Sequence, residues 1–221
     1  MKINEDIICH LDKVNVSLGG SKILQDLSVN FKIGERVLVL GRNGSGKSTF
    51  LRLIAGLISP FSGTRTLGKN TTPFLLSHAS GLYADLTIEE NLLFFSGLFG
   101  VKKPIDDVLK LWGLNKFRHR TLRTVSKGTN TRTGLALIDI IRPSLLLLDE
   151  PTANLDNNGI ELLLQSILSD KDTTIILATH DLHHLVAWGN TLLLLDNGSI
   201  KRSSSMETKE TLLAFYHASN R

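Results

Sequence analysis

The sequence predicts an α/β fold with a parallel-sheet core, an antiparallel β layer and a small helical insertion. Three patterns carry that expectation. Short, near-continuous apolar runs, Arg36 to Leu40, Leu145 to Leu148 and Thr174 to Ala178, suit strands buried on both faces of a parallel sheet. Ile7 to Leu18 and Leu27 to Phe31 alternate apolar and polar residues, the period of strands with one wet face. Between the core runs stand segments whose apolar residues recur at helical spacing. The 221 residues, 42% of them hydrophobic, fit one domain spanning 1–221 and are enough to bury a sizeable core.

Taken in order, Gly19-Gly20 is turn material between the first two alternating strands. Arg36 to Leu40 runs into a glycine-rich turn, after which Phe50, Leu51, Leu53, Ile54 and Leu57 mark a helix. Thr87 to Phe99 and Ile105 to Trp112 read as helices of the insertion, which occupies about 85–135. Gly159 to Leu168 reads as the helix between two core strands. Asp196-Asn197-Gly198-Ser199 reads as a hairpin turn, and Thr211 to Tyr216 as a late helix.

Composition excludes several classes. Lys and Arg number 25 against 21 Asp and Glu, a mild excess without a long basic run, so no nucleic-acid partner is expected. The single cysteine, Cys9, rules out an internal disulfide and fits a reducing compartment; it reads as an ordinary strand residue. The apolar stretches fall far short of the roughly 20 residues a membrane helix needs. Acidic residues at the start, followed by alternation, speak against a signal peptide, and a cytoplasmic location is expected.

The chemistry concentrates in two runs. Gly41-Arg42-Asn43-Gly44-Ser45-Gly46-Lys47-Ser48-Thr49 matches G-x-x-x-x-G-K-[ST] between a strand and a helix. Its glycines let backbone N–H groups converge on phosphate oxygens at a helix N-terminus. Lys47 would hold the β- and γ-phosphates of ATP, and Ser48 would reach Mg²⁺. A glycine-rich turn with a chance lysine is the plain alternative, disfavoured by the strand and helix on either side. Leu145 to Glu150 supplies the other half: Asp149, at the end of a buried strand, would hold Mg²⁺ directly or through water. Glu150, the next residue and so differently aimed, would polarise a water for in-line attack on the γ-phosphate. Alone, two acids before Pro151 would read as a helix cap.

Asp149-Glu150-Pro151-Thr152-Ala153-Asn154-Leu155-Asp156 resembles the Walker B and D-loop run of ABC-type ATP-binding domains, and the resemblance covers nearly the whole chain. It implies a P-loop NTPase core of the ABC ATPase type. His180, followed by Asp181, matches the family's switch histidine, which contacts the γ-phosphate; His183 and His184 read as exposed helix positions. The signature motif, usually L-S-G-G-Q, aligns with Val125-Ser126-Lys127-Gly128-Thr129. Ser126 and Gly128, which the family uses to bind the γ-phosphate across a dimer, are retained at a helix start. Lys127 replaces a glycine, where it either adds attraction for phosphate or crowds the dimer interface, and Thr129 replaces the glutamine. Leu18 stands where the family stacks an aromatic on adenine. His78 falls nearest the Q-loop glutamine, either contacting Mg²⁺-bound water or serving as a loop residue. The segment from Ile58 to Leu76 is short for the family, implying a trimmed antiparallel subdomain.

Gly81-Leu82-Tyr83-Ala84-Asp85-Leu86-Thr87-Ile88-Glu89-Glu90-Asn91-Leu92 with Phe94-Phe95 is similar to the coupling region of exporter ATPases, among them the haem-exporter ATPases of cytochrome c maturation. The resemblance implies an ATPase dimer, a homodimer by preference, driving a separate transmembrane permease from the inner face of the membrane. A soluble ABC ATPase would show paired domains, a coiled-coil insertion or a strongly basic surface, none of which is evident. A GTPase would need a guanine-reading N-K-x-D, which is missing. A binding-only regulator is suggested by Leu18, the absent Q-loop glutamine and the altered signature, and opposed by Lys47, Asp149, Glu150 and His180.

Overall fold

The computed structural model describes residues 4–77, 81–102, 104–180, 185, 188–203, 210, 213–214 and 216. The chain divides into two compact units. The first takes Met1–Leu75, Ser144–Glu150 and Lys171–Arg221, the second Leu76–Pro143 and Pro151–Asp170.

In the first unit, β1 (Ile7–Leu18) and β2 (Ser21–Lys32) form an antiparallel hairpin closed by Gly19 and Gly20, both at positive φ, as a tight two-residue turn requires. β4 (Ser62–Leu67) completes a three-stranded sheet of order β2-β1-β4. The second sheet has order β5-β6-β7-β3-β8-β9, built from β3 (Arg36–Leu40), β5 (Pro73–Leu76), β6 (Leu145–Asp149), β7 (Thr174–Ala178), β8 (Thr191–Asp196) and β9 (Ser199–Ser203). β3 runs parallel to β7 on one side and β8 on the other. Successive residues of β3 from Val37 to Leu40 are all buried, so both of its faces are covered, which explains its run of aliphatics. β8 and β9 are antiparallel across the expected Asn197-Gly198 turn.

α1 (Lys47–Ala55) buries Phe50, Leu51, Leu53 and Ile54, and Phe50 meets Phe31 of β2 with ring centroids 6.2 Å apart. Leu57 does not extend this helix. Gly56 adopts a left-handed conformation, and the Gly56 and Leu57 N–H groups donate to the Leu53 and Arg52 carbonyls, so the chain turns away and leaves Leu57 exposed. Cys9 is fully buried in β1; burial pushes its thiol up to about 12, against the pull of Arg65.

The second unit is helical: α2 (Ile88–Leu98), α3 (Ile105–Leu111), α4 (Lys127–Ile141) and α5 (Asn157–Leu162), the last running into a π-turn over Leu163–Ile167. α2 starts at a capping box in which Thr87 and Glu90 exchange side-chain and backbone bonds. Arg118 donates to Glu89 at 2.5 Å and to Asp106 at 2.6 Å, clamping α2 to α3. Trp112, Leu114, Leu122, Leu135 and Leu137 fill the interior. No helix among the described residues is long and apolar enough to cross a membrane. His78, Asp181, His183, His184 and most of the expected late helix lie outside the described residues.

Candidate active site

β3 ends at Leu40 and α1 starts at Lys47, so Gly41 to Gly46 form a loop between a buried strand and a helix start. Gly46, at φ 102°, is the N-cap, and no side chain caps the first turn of α1. Those leading N–H groups are the ones a bound anion would take. Gly41 is demanded by contact: a Cβ there would stand 2.4 Å from Ser45 Oγ and 2.5 Å from the Leu195 carbonyl. Ser45 Oγ is buried with no hydrogen-bond partner among the described residues. Arg42, Asn43 and Gly44 are exposed, Ser48 and Thr49 half-buried.

Lys47 folds back over the loop, donating to the carbonyls of Gly41 at 2.8 Å and Arg42 at 3.2 Å. Burial pulls its ammonium below the ordinary value, while the carboxylates of Glu150 and then Asp149 pull the other way. The lysine therefore feels both acids found at the end of β6. Asp149 is the last residue of that strand and pairs with Ala178 of β7.

Glu150 has left-handed backbone, φ 53°, an uncommon and strained conformation for a side chain of this kind. Its N–H still donates to the Ala178 carbonyl at 2.8 Å, so the chain reverses immediately past the last rung of the β6–β7 ladder. The side chain is turned onto the end of β7. Glu150 Oε2 lies 2.9 Å from His180 Nδ1 and accepts from the Thr179 hydroxyl at 3.1 Å and from the His180 N–H at 3.3 Å. Glu150 is largely buried; the His180 ring is 60% exposed. Thr179 is a member of this cluster that sequence reasoning passed over, and its only signal was a hydroxyl residue before His180 at a strand end.

Ser126 and Gly128 belong to the second unit. Ser126 is the N-cap of α4: its Oγ accepts from the Thr129 N–H at 3.2 Å and lies 3.0 Å from Thr129 Oγ1. A Cβ on Gly128 would approach the Asn154 carbonyl to 2.7 Å, which accounts for glycine there. Ser126, Gly128, Arg132, Asn154 and Asp156 line an open cavity of about 230 Å³, and Arg132 pairs with Asp156 at 2.5 Å. Leu18 ends β1 beside the Gly19-Gly20 turn and is exposed, as an apolar contact for a base would be.

For a divalent cation the available donors are Ser48 Oγ and the Asp149 carboxylate. Among the described residues no group of three or more His, Cys, Asp or Glu could hold a metal ion by itself. A hydroxyl and a carboxylate are hard oxygen donors that suit Mg²⁺, an ion that ordinarily completes its shell with water and phosphate oxygens.

The family model for the ABC transporter matches residues 24–153, which include the phosphate loop, the signature segment and the end of β6. The chain is 36% identical over 185 residues to the bacitracin transport ATP-binding protein BcrA of Bacillus licheniformis, covering 76% of this chain and 60% of that protein. It is 33% identical over 172 residues to the cytochrome c biogenesis ATP-binding export protein CcmA of Roseobacter denitrificans, covering 77% of this chain and 82% of the other. The fold matches the ATP-binding cassette MJ0796, solved as a dimer in a post-hydrolysis state with ADP and Pi, at TM-score 0.73 and 23% identity over 89% of this chain and 98% of that one.

Proposed function

The chain belongs to the ABC transporter family, an ATPase whose hydrolysis of ATP is coupled to transport, and from that premise we propose that it is the motor subunit of an exporter. It works as a dimer, by preference of two identical copies, under a separate transmembrane permease at the inner face of the cell membrane. The observation that carries this reading is Lys47, first residue of an uncapped helix, folded back over the loop within the field of Glu150 and Asp149.

In this scheme the N–H groups of Gly41 to Thr49 cradle the phosphates and Lys47 holds the β- and γ-oxygens. Leu18 packs on the adenine. Ser48 and Asp149 hold Mg²⁺, which when bound neutralises charge on the phosphates. Glu150 accepts a proton from water as the water oxygen attacks the γ-phosphorus and the bond to ADP breaks. His180 shares the Glu150 carboxylate and reaches the γ-phosphate. Ser126 and Gly128 of the second copy supply N–H and hydroxyl donors at the start of α4. Hydrolysis is slow in an isolated copy, because half of the donor set is absent.

Export by a permease partner is supported by exposed apolar surface on α2, where Leu93, Phe94 and Leu98 face solvent and Tyr83, Phe94 and Phe95 form a ring cluster with centroids 5.2 to 5.8 Å apart. The finer reading is the haem-exporter type of cytochrome c maturation, supported by the wording from Gly81 to Phe95 and the likeness to CcmA. Likeness to BcrA at comparable identity supports transport of a bacitracin-like cargo equally. The permease decides between them. Tagged Glu150→Gln protein, purified with ATP from detergent-solubilised membranes, should carry a stoichiometric multi-span protein identifiable by mass spectrometry. Recovery only in the soluble fraction, alone or with ribosomes or DNA, would replace the exporter reading with a soluble ABC ATPase.

A further inference from the structure

Glu150 receives its donors on one oxygen only. Thr179 Oγ1, the His180 N–H and His180 Nδ1 all meet Oε2, and among the described residues no donor reaches Oε1. A carboxylate held this way presents a definite free oxygen rather than a rotating pair. The three contacts are unequal in permanence. The His180 ring is 60% exposed and is the group that the proposed reaction sends to the γ-phosphate. The His180 backbone contact is the longest, at 3.3 Å. Thr179 is fully buried, its N–H donates to the Val39 carbonyl of β3 at 3.2 Å, and its preceding residue is paired on both sides, with Val39 and with Asp149. A β-branched side chain on backbone so fixed has little torsional freedom. Its hydroxyl stays where the sheet puts it whichever way the histidine turns.

We propose that Thr179 is a positioning residue for hydrolysis: its hydroxyl anchors Glu150 Oε2 so that Oε1 faces the attacking water while His180 is engaged with the nucleotide. The inference rests on Glu150 being the base. The left-handed backbone at Glu150 folds the side chain back over β7 and onto this hydroxyl. Thr179 touches neither water nor phosphate in this role; it acts through the carboxylate.

The test is steady-state ATPase and equilibrium ATP binding on the full chain, comparing Thr179→Val, Thr179→Ser and Glu150→Gln. Removing one hydrogen bond to a charged group should lower kcat by about 10- to 100-fold for Thr179→Val, with KM and ATP affinity within about 2-fold. Thr179→Ser, which keeps the hydroxyl, should stay within about 3-fold of the parent. A structural role alone would lower the melting temperature without this split and without rescue by serine. If Thr179→Val cannot be recovered folded, Thr179→Ala against Thr179→Ser gives the same comparison. Unchanged kcat in the valine variant, equal loss in the serine variant, or a loss carried by KM would each overturn the proposal. Persisting turnover in Glu150→Gln would overturn the base assignment and this inference with it, whereas an inactive Glu150→Gln beside a fully active Thr179→Val would sink the inference alone.

Discussion

α1 and α4 both begin where an anion is expected, yet their first turns are finished differently. α1 opens on Gly46 with no side chain to satisfy its leading N–H groups, while α4 opens on Ser126, whose hydroxyl already accepts from Thr129. A bare start leaves donors that are content only with water or a ligand, so it is organised around binding. A capped start is complete by itself and can recruit a phosphate only by sharing its serine. Under the proposed dimer, the difference predicts an order of events in which nucleotide settles first on α1 of one copy and α4 of the other joins afterwards.

The largest effect that could break this comparison is on affinity. Lys47→Ala should weaken ATP binding to the single chain by about 100-fold or more, since charge-assisted contacts to two phosphates are lost, whereas Ser126→Ala should change it by less than about 2-fold. Similar losses by calorimetry would show that α4 contributes before dimerisation. Next in size is the altered signature. Lys127→Gly with Thr129→Gln should raise basal ATPase by about 3- to 10-fold if those residues are the defect, and unchanged turnover would discard that explanation.

Stability sharpens the contrast further. Ser126→Ala should cost about 1 kcal/mol in denaturant unfolding, the usual worth of an N-cap. Ser126→Asp should keep the cap and yet abolish ATP-driven dimerisation by placing a negative charge against phosphate; dimerisation that survived would separate Ser126 from the nucleotide. The smallest expected effect concerns acid. The Gly159 N–H and the Arg132 guanidinium hold Asp156, beside the α4 cavity, below its ordinary carboxylate value. Its stabilising contribution is therefore present above the unfolded value of about 4 and disappears as pH falls through the lower folded value. Asp156→Asn should flatten that acid limb, and an unaltered limb would assign it to other carboxylates.

What could be read from the sequence was whatever lies in one contiguous stretch. Gly41 to Thr49 declares itself because the chemistry of a phosphate cradle is local, and Asp149 and Glu150 follow because a buried strand ends beside them. The alternation of Ile7 to Leu18 revealed the outer sheet for the same reason. Position-dependent features stayed hidden. Thr179 acquires its partner through the β6–β7 register, across 29 residues of chain, and no spacing rule encodes that. The left-handed backbone of Glu150 lies just past the rung to Ala178, at a chain reversal that exists only once the strands pair. Helical periodicity carried the first helix through Leu57 because it weighs apolar spacing and not the left-handed glycine that stops the turn at Gly56. Periodicity was equally blind to the π-turn after α5, because apolar spacing does not say whether a carbonyl is bonded from four or five residues on.

The strand order has a consequence during synthesis. β3 delivers the phosphate loop, but both of its neighbours, β7 and β8, are encoded more than a hundred residues later, from Thr174 to Asp196. A nascent chain that already displays Gly41 to Thr49 has no strand on either side of β3, whose backbone groups wait for their partners. The strand that carries the phosphate loop is therefore flanked only late in synthesis. Chains cut short before Thr174 lack both neighbours of β3 together with Thr179 and His180, so they are expected to be inactive.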